Sequence, residues 1–212
     1  MSYQKILLNI FFLLPAWVLR IFVWKKDVYI RGQVLDFKSS MLIALTPSSL
    51  LAKVEFVDDL RIAINDARIA MPVSAKPAVE VKTLDHELLS EDSSILLKEY
   101  IPKVLTTEKV VLYFHGGGYV IGDVMTHDRW VSNMANILEA KVYSLNYRLA
   151  PENKFPKAID DVCLTLEWLN NLGYENSNIS LCGDSAGAHL AAATSNHLAM
   201  SNKSMPSSQC LI

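Results

Sequence analysis

The sequence lacks the features that mark several protein classes. Its cysteines, Cys163, Cys182 and Cys210, stand far apart, with no C-x-x-C pair and no His/Cys cluster at ligand spacing. This pattern predicts reduced core thiols, not a disulfide framework or a metal site. Neither sign of charge dominates, because 20 basic residues face 22 acidic ones, which argues against nucleic acid as a partner. No repeat is present, and 51% apolar residues suffice for one well-packed core.

Glycine is also scarce, with eight residues in the chain, and two of them flank Ser185. Gly183 and Gly187 lie between a short apolar run and a series of helix formers that continues to Met200. This G-x-S-x-G pattern indicates a nucleophile elbow, a sharp strand-to-helix turn that holds a serine hydroxyl clear of a sheet. Side chains at the two glycine positions would collide with neighbouring backbone. The alternative is a plain turn with a serine N-cap.

A second motif, His115-Gly116-Gly117-Gly118, follows the apolar run 110–114. Adjacent glycines leave backbone amides free to face a ligand atom, and neither a G-K-[ST] nor a G-x-G-x-x-G phosphate pattern is present. We therefore predict an oxyanion hole, for which the N-terminus of the helix after the serine is also suited. Its amides are expected from Gly117, Gly118 and Ala186. The residues expected to support the site are His115, which orients the loop in preference to acting as a base, Gly116 and Asp184.

Together these motifs resemble the hormone-sensitive-lipase branch of the α/β-hydrolases, which includes arylacetamide-deacetylase-like esterases. The stretch Tyr147-Arg148-Leu149-Ala150-Pro151-Glu152, followed by Phe155-Pro156, is typical of that branch. The resemblance covers residues 79–212. It implies an ester hydrolase of the esterase, lipase or deacetylase type that acts through an acyl-enzyme on Ser185, with no cofactor and no metal. The implied substrate is a small-molecule or lipid ester.

The histidine that such an enzyme needs is missing from the pattern. The triad of this fold runs serine, acid, histidine, and no histidine follows His197. We therefore expect a C-terminally truncated form that lacks the acid and the base and is nearly inactive. Two alternatives remain open, a hydrolase-like ligand-binding protein and an inactive membrane-tethered fragment.

The longest apolar run is residues 6–24, which contains Pro15 and Arg20. Its length is close to a bilayer span, but Lys5, Asn9, Ala16 and Arg20 fall on one stripe of a helix. We expect a helix at a membrane surface, with a helix docked on the enzyme's cap and a cleaved signal peptide as alternatives. Membrane association is the expected location, and the cytoplasm is the alternative. The predicted divisions are 1–26 for this helix, 27–77 for a helical cap segment and 78–212 for a partial catalytic domain.

The fold class follows from the alternation of patterns after residue 109. Strands are expected at 109–114, 142–147, 179–182 and 209–212, with helices at 126–139, 159–169 and 186–200. This order predicts an α/β-hydrolase fold, a mostly parallel sheet with helices on both faces. Residues 79–101 are expected to form an antiparallel edge hairpin. Helical periodicity over 34–71, with a break at Thr46-Pro47-Ser48, predicts an N-terminal cap.

Other polar residues receive simpler interpretations. His127 and Asp128 are expected to cap a helix and support the lid, His189 to point away from the elbow as a packing residue, and His86 to lie in a polar turn. Arg148 is expected to hold the loop after its strand through ion pairs. Tyr119, directly after the glycines, is a candidate for the wall of the substrate pocket.

Overall fold

The computed structural model describes residues 14–22, 29–30, 32–45, 57–70, 80–90 and 92–212. The described residues up to Leu60, with Ala70, form one compact unit. Residues 61–69 and everything described from residue 80 onward form the other. The predicted divisions at residues 26 and 77 stay predictions.

The described residues of the first unit form two helices and a small hairpin, together with the first turn of a third helix. Helix α1 covers Ala16–Phe22 and α2 covers Phe37–Leu45, and strands β1 (Tyr29–Ile30) and β2 (Gln33–Val34) pair antiparallel between them. The Arg20 guanidinium lies 4.7 Å from the centre of the Phe37 ring, a cation–π contact that joins the two helices.

The predicted helix of residues 6–24 is described only from residue 14 to 22. Trp17 and Ile21 of α1 are exposed. Within the described ranges, no helix reaches the length and hydropathy that a bilayer crossing requires. Contact with a membrane surface stays a prediction.

The second unit is built on a six-stranded sheet of order β3-β4-β6-β5-β7-β8. Its strands are β3 (Lys82–Leu89), β4 (Ser94–Ile101), β5 (Val110–Phe114), β6 (Lys141–Leu145), β7 (Ile179–Gly183) and β8 (Ser208–Leu211). Strands β3 and β4 form the predicted antiparallel edge hairpin, β4 pairs antiparallel with β6, and the remaining pairs are parallel. The mostly parallel sheet confirms the predicted fold class.

Helices cover both faces of the sheet. Helices α5 (Lys157–Asn171) and α6 (Ala186–Met200) pack on one face through Val162, Leu166 and Leu190, against Leu112 and Leu181 of the strands. Helix α4 (Asp128–Leu138) packs on the other face through Val131 and Ala135. The strands between these layers are buried on both faces, which explains their continuous apolar runs.

Helix α3 covers Val57–Ala70, inside the predicted helical segment 34–71. The break predicted at residues 46–48 lies outside the described residues. The prediction of a polar turn around His86 is wrong, because His86 lies in β3 opposite Leu97 of β4. Its Nε2 lies 2.8 Å from Glu99 Oε2, and its ring lies 4.8 Å from that of Trp168. An edge strand with a solvent-facing side has the same polar sequence as a turn.

Candidate active site

The parallel ladder between β5 and β7 brings the two motifs together. Phe114, the last residue of β5, pairs in register with Gly183, the last residue of β7. Because parallel neighbours end at the same edge of a sheet, the glycine loop after β5 and the serine turn after β7 leave the sheet side by side. This is the edge at which open α/β sheets place their sites.

Ser185 occupies a strained turn between β7 and α6. Its φ of 51° and ψ of −115° lie outside the regions that L-residues prefer, and the residue is exposed between the buried Gly183 and Ala186. A Cβ on Gly187 would overlap the carbonyl oxygen of Phe114, so that position requires glycine. The Ser185 N–H donates to the carbonyl of Ile212 at 2.8 Å, which holds the strained turn from the β8 side.

The amides predicted for an oxyanion hole are available as donors. Within the described residues, the N–H groups of Gly117, Gly118 and Ala186 donate no hydrogen bond to the protein. The Gly117 carbonyl accepts from the N–H groups of Val120 and Ile121 at 3.1 and 3.0 Å, which closes the loop into a turn. Bare amides at the N-terminus of a helix and in a glycine loop favour an atom that develops negative charge.

Asp184 joins the glycine loop to the elbow. Its Oδ1 accepts from the Gly116 N–H at 2.8 Å and from the Tyr113 hydroxyl at 2.6 Å, and His127 Nε2 lies 3.5 Å away. Burial acts to raise the pKa of this carboxyl, but hydrogen bonds from His127, Tyr113 and the Gly116 amide outweigh it and hold the pKa well below its usual range. A carboxylate charge is therefore fixed beneath the loop.

His115 is fully buried under the same loop. Its Nδ1 donates to the Gly116 carbonyl at 3.1 Å, and its ring stacks on Tyr147 with centroids 4.3 Å apart. The Tyr147 hydroxyl donates in turn to the His115 carbonyl at 2.6 Å. Burial lowers the pKa of His115 to about 4, so the ring is neutral at pH 7. This enclosed position supports an orienting role for His115 and gives no route to a substrate proton.

Helix α3 supplies contacts that the sequence did not reveal. Arg61 Nε donates to the Val120 carbonyl at 2.7 Å, and its guanidinium also pairs with Glu152. Asn65 Oδ1 accepts from the Gly122 N–H at 3.0 Å, and Arg68 Nη1 lies 3.4 Å from the Gly116 carbonyl. The partners of these three side chains include residues 116, 120 and 122, so one face of α3 holds the glycine loop and the residues after it. The only signal in the sequence was the spacing of 61, 65 and 68, which places them on one side of a helix.

None of the described histidine side chains forms a hydrogen bond with the Ser185 hydroxyl. Among the described residues, Ser185 Oγ forms no hydrogen bond. His127 is the N-cap residue of α4, as predicted, but its side chain forms no capping hydrogen bond and its ring faces Asp184. The packing role predicted for His189 is wrong, because the residue is exposed and its Nδ1 lies 2.7 Å from the Tyr119 hydroxyl.

The loop after β6 is fixed by ion pairs, as expected for Arg148. Its Nε donates to the buried Asp161 at 2.8 Å, and its Nη1 pairs with Asp92 at 2.6 Å. Lys157 reaches the same Asp92 at 2.8 Å. These charges connect the loop to the start of α5 and to the turn between β3 and β4.

The sheet, the elbow and the glycine loop together give the chain the α/β-hydrolase fold. Residues 111–212 match the family model described as the α/β-hydrolase fold. Among solved structures, the chain is similar to the carboxylesterase EstE1 from a metagenomic library, with 32% identity, a TM-score of 0.66 and coverage of 74% of this chain and 54% of that one. An esterase described as a member of the bacterial hormone-sensitive lipase family gives 30% identity, a TM-score of 0.66 and coverage of 80% and 52%.

Curated relatives are also esterases by name. An arylesterase of Saccharolobus solfataricus is 33% identical over 181 residues, which are 84% of this chain and 53% of the relative. The carboxylesterase NlhH of Mycobacterium tuberculosis is 37% identical over 119 residues, which are 54% and 36% of the two chains. The chain thus spans about half the length, or less, of the relatives that it matches.

Proposed function

We propose that this α/β-hydrolase acts on carboxylic esters with Ser185 as the nucleophile. One observation carries the proposal. An exposed serine in a strained turn stands at the same sheet edge as three backbone amides that donate no hydrogen bond within the described residues. A serine that only capped a helix would not need the positive φ, and a phosphate loop would not need the serine.

In the proposed reaction, Ser185 Oγ attacks the ester carbonyl carbon and loses its proton to a base. The Gly117, Gly118 and Ala186 amides bind the oxyanion of the tetrahedral intermediate. The C–O bond to the alcohol then breaks, and the leaving alkoxide takes the proton. Water adds to the acyl-enzyme by the same steps, which release the carboxylic acid and restore Ser185.

The base is proposed to be a histidine outside this sequence. His115 is enclosed, His127 faces Asp184, and His189 is bonded to Tyr119. Without a base, a serine hydrolase retains only the part of its acceleration that binding and the oxyanion hole supply. The 212-residue chain alone is therefore expected to turn over esters slowly.

A fluorophosphonate probe tests the proposal, since it forms a covalent bond with an activated serine. The folded chain is expected to be labelled slowly, and added imidazole, which can act as the base, is expected to accelerate labelling. The Ser185→Ala variant should show no labelling under either condition. The Ser201→Ala variant, changed at an exposed serine just after α6, should be labelled like the wild type.

Two outcomes contradict parts of this proposal. A folded chain without Ser185-dependent labelling, even with imidazole, would favour the alternative of a hydrolase-like ligand-binding protein. Rapid ester turnover without imidazole would mean that one of the described histidines serves as the base.

Membership of the arylacetamide-deacetylase-like group and a membrane-surface location through residues 6–24 remain proposals from the sequence motifs.

A further inference from the structure

Two of the three cysteines face each other across the pair of strands that leads into the elbow. Strands β7 and β8 run parallel, and Cys182 of β7 is the register partner of Cys210 of β8. Both thiols are free. Because register partners project from the same face of a sheet, the two side chains lie next to each other, on the face on which α4 packs.

The spacing of the strands permits a bond between these thiols. Neighbouring strands lie about 4.7–4.9 Å apart, and a disulfide joins Cα atoms that are about 4.4–6.8 Å apart. Two residues earlier on the same face, Ser180 and its register partner Ser208 bring their hydroxyl oxygens within 2.9 Å of each other. The Cys182 and Cys210 thiols are themselves in hydrogen-bond contact. A disulfide prefers Cβ atoms about 3.8 Å apart, so the bond would be strained and readily reduced.

The two thiols differ in accessibility and in acidity. The sequence predicts Cys210 in the core, but the residue is exposed, because β8 is the outermost strand of the described sheet. Cys182 is buried, and burial together with the neighbouring Cys210 thiol raises the pKa of Cys182 to about 12. Since the thiolate is the reactive form, an oxidant in solution reacts first with Cys210, and Cys182 is placed to react second.

The same strand ends hold the turn that carries the serine. Cys182 directly precedes Gly183, whose carbonyl accepts from the Ile212 N–H at 3.0 Å. The Ile212 carbonyl accepts from the Ser185 N–H at 2.8 Å, and Cys210 lies two residues before Ile212. A covalent link between the two thiols therefore joins the segments whose hydrogen bonds support the elbow. A change in strand spacing at this link is transmitted to the Ser185 amide.

We propose that Cys182 and Cys210 form a modification site for hydroperoxides, at which a reversible disulfide forms across β7 and β8 beside the nucleophile elbow. In the first step, the Cys210 sulfur attacks the hydroxyl oxygen of the peroxide. An S–O bond forms, the O–O bond breaks, and the other oxygen leaves with the thiol proton as water or an alcohol, which gives a sulfenic acid.

In the second step, the Cys182 sulfur attacks the sulfenic sulfur of Cys210. The S–S bond forms, the S–O bond breaks, and hydroxide leaves with the Cys182 proton as water. The two sulfurs together lose two electrons, and these electrons reduce the peroxide. The site does not depend on the proposed ester chemistry of Ser185.

Peptide mapping of the folded chain tests the inference. The reduced chain at micromolar concentration is treated with a small excess of hydrogen peroxide, the remaining thiols are blocked, and unreduced peptides are analysed by mass spectrometry. The disulfide between Cys182 and Cys210 is expected to exceed all others by at least about tenfold, because thiols in contact have an effective concentration far above that of the dissolved protein. In urea, Cys163 competes and this preference should disappear, since loop closure depends only weakly on loop length.

Variants separate the two steps. Cys182→Ser should leave the sulfenic acid of Cys210 in place, so that dimedone labels it, whereas Cys210→Ser should leave Cys182 without label. The matched control Cys163→Ser should form the same disulfide as the wild type. The amide NMR signals of Gly183 and Ser185 should move on oxidation and return when dithiothreitol is added.

Three results would overturn the inference: equal use of all three cysteines in the folded chain, dimers through Cys210 as the main product, or sulfinic acid at Cys210 of the wild type without a disulfide. Unchanged amide signals of Gly183 and Ser185 in the oxidised chain would overturn the link to the elbow. The mapping uses the wild-type chain, so its result does not depend on whether a cysteine variant folds.

Discussion

Asn65 on α3 provides the sharpest test of how the glycine loop is held. Its Oδ1 accepts from the Gly122 N–H at 3.0 Å, and its Nδ2 donates to Asp123 Oδ2 at 3.1 Å. Asn65→Asp keeps the acceptor for Gly122 but replaces the donor to Asp123 by a second carboxylate. The variant therefore removes the hydrogen bond to Asp123 and keeps an acceptor for the Gly122 N–H.

The expected loss follows from these distances. A hydrogen bond to a charged group contributes about 1.5–3 kcal/mol. Two carboxylates at this separation repel by roughly 5 kcal/mol at an effective dielectric constant of 20, although both side chains are half-exposed and can move apart. We expect a net loss of about 2–3 kcal/mol in the free energy of unfolding at pH 7, measured by urea denaturation.

Hydrogen exchange locates the effect, because the amide of Thr126, which donates to Asp123, should exchange roughly 30- to 150-fold faster if the loss is local, whereas the amide of Gly122 keeps its acceptor. The matched control is Asn65→Asp combined with Asp123→Asn, which restores a donor and an acceptor in reversed positions. The amide oxygen introduced at position 123 would still accept from the Thr126 N–H, as Asp123 Oδ1 does at 2.8 Å. If the two substitutions are additive, without rescue, the hydrogen bond between residues 65 and 123 does not contribute the expected stability.

Two further predictions concern the stability of the fold, one through the buried His115 and one through the buried Gly187. Because burial lowers the pKa of His115 from 6.5 to about 4, the unfolded chain protonates first on acidification. Stability should therefore fall by up to about 3 kcal/mol between pH 6.5 and 4, and urea midpoints of His115→Gln should lack that part of the decline. Gly187→Ala places a Cβ on the Phe114 carbonyl and should cost more than about 3 kcal/mol in thermal unfolding. Gly118→Ala has open space around its Cβ, and its φ of 63° should cost only about 1–2 kcal/mol. Equal losses for the two alanine variants would contradict the backbone-overlap argument.

The fold was predictable where the pattern is local. Apolar runs and glycine positions were enough to predict β5, β7 and α6 within about one residue, and the parallel sheet then placed Ser185 beside the glycine loop. Helix α6 begins at Ala186 and ends at Met200, as expected. The apolar side chains of these elements pack against near neighbours in sequence or against adjacent strands.

The contacts that support the site were not predictable, because they join residues that lie far apart in the sequence. Asn65 meets Gly122, and His127 meets Asp184, only after the chain has folded over many residues. No local pattern distinguishes such an asparagine from one that faces solvent. His86 was misread because the exposed side of an edge strand has the composition of a turn.

The hydrogen bond from the Ser185 N–H to the Ile212 carbonyl has a consequence for the order of folding. The Ile212 N–H also donates to the Gly183 carbonyl at 3.0 Å, so both sides of the elbow are bonded to the residue that follows β8. During synthesis, β7 and the serine leave the ribosome before α6 and β8. The strained turn gains this support only when residue 212 reaches it, so the nucleophile takes its final geometry among the last events in this part of the sheet.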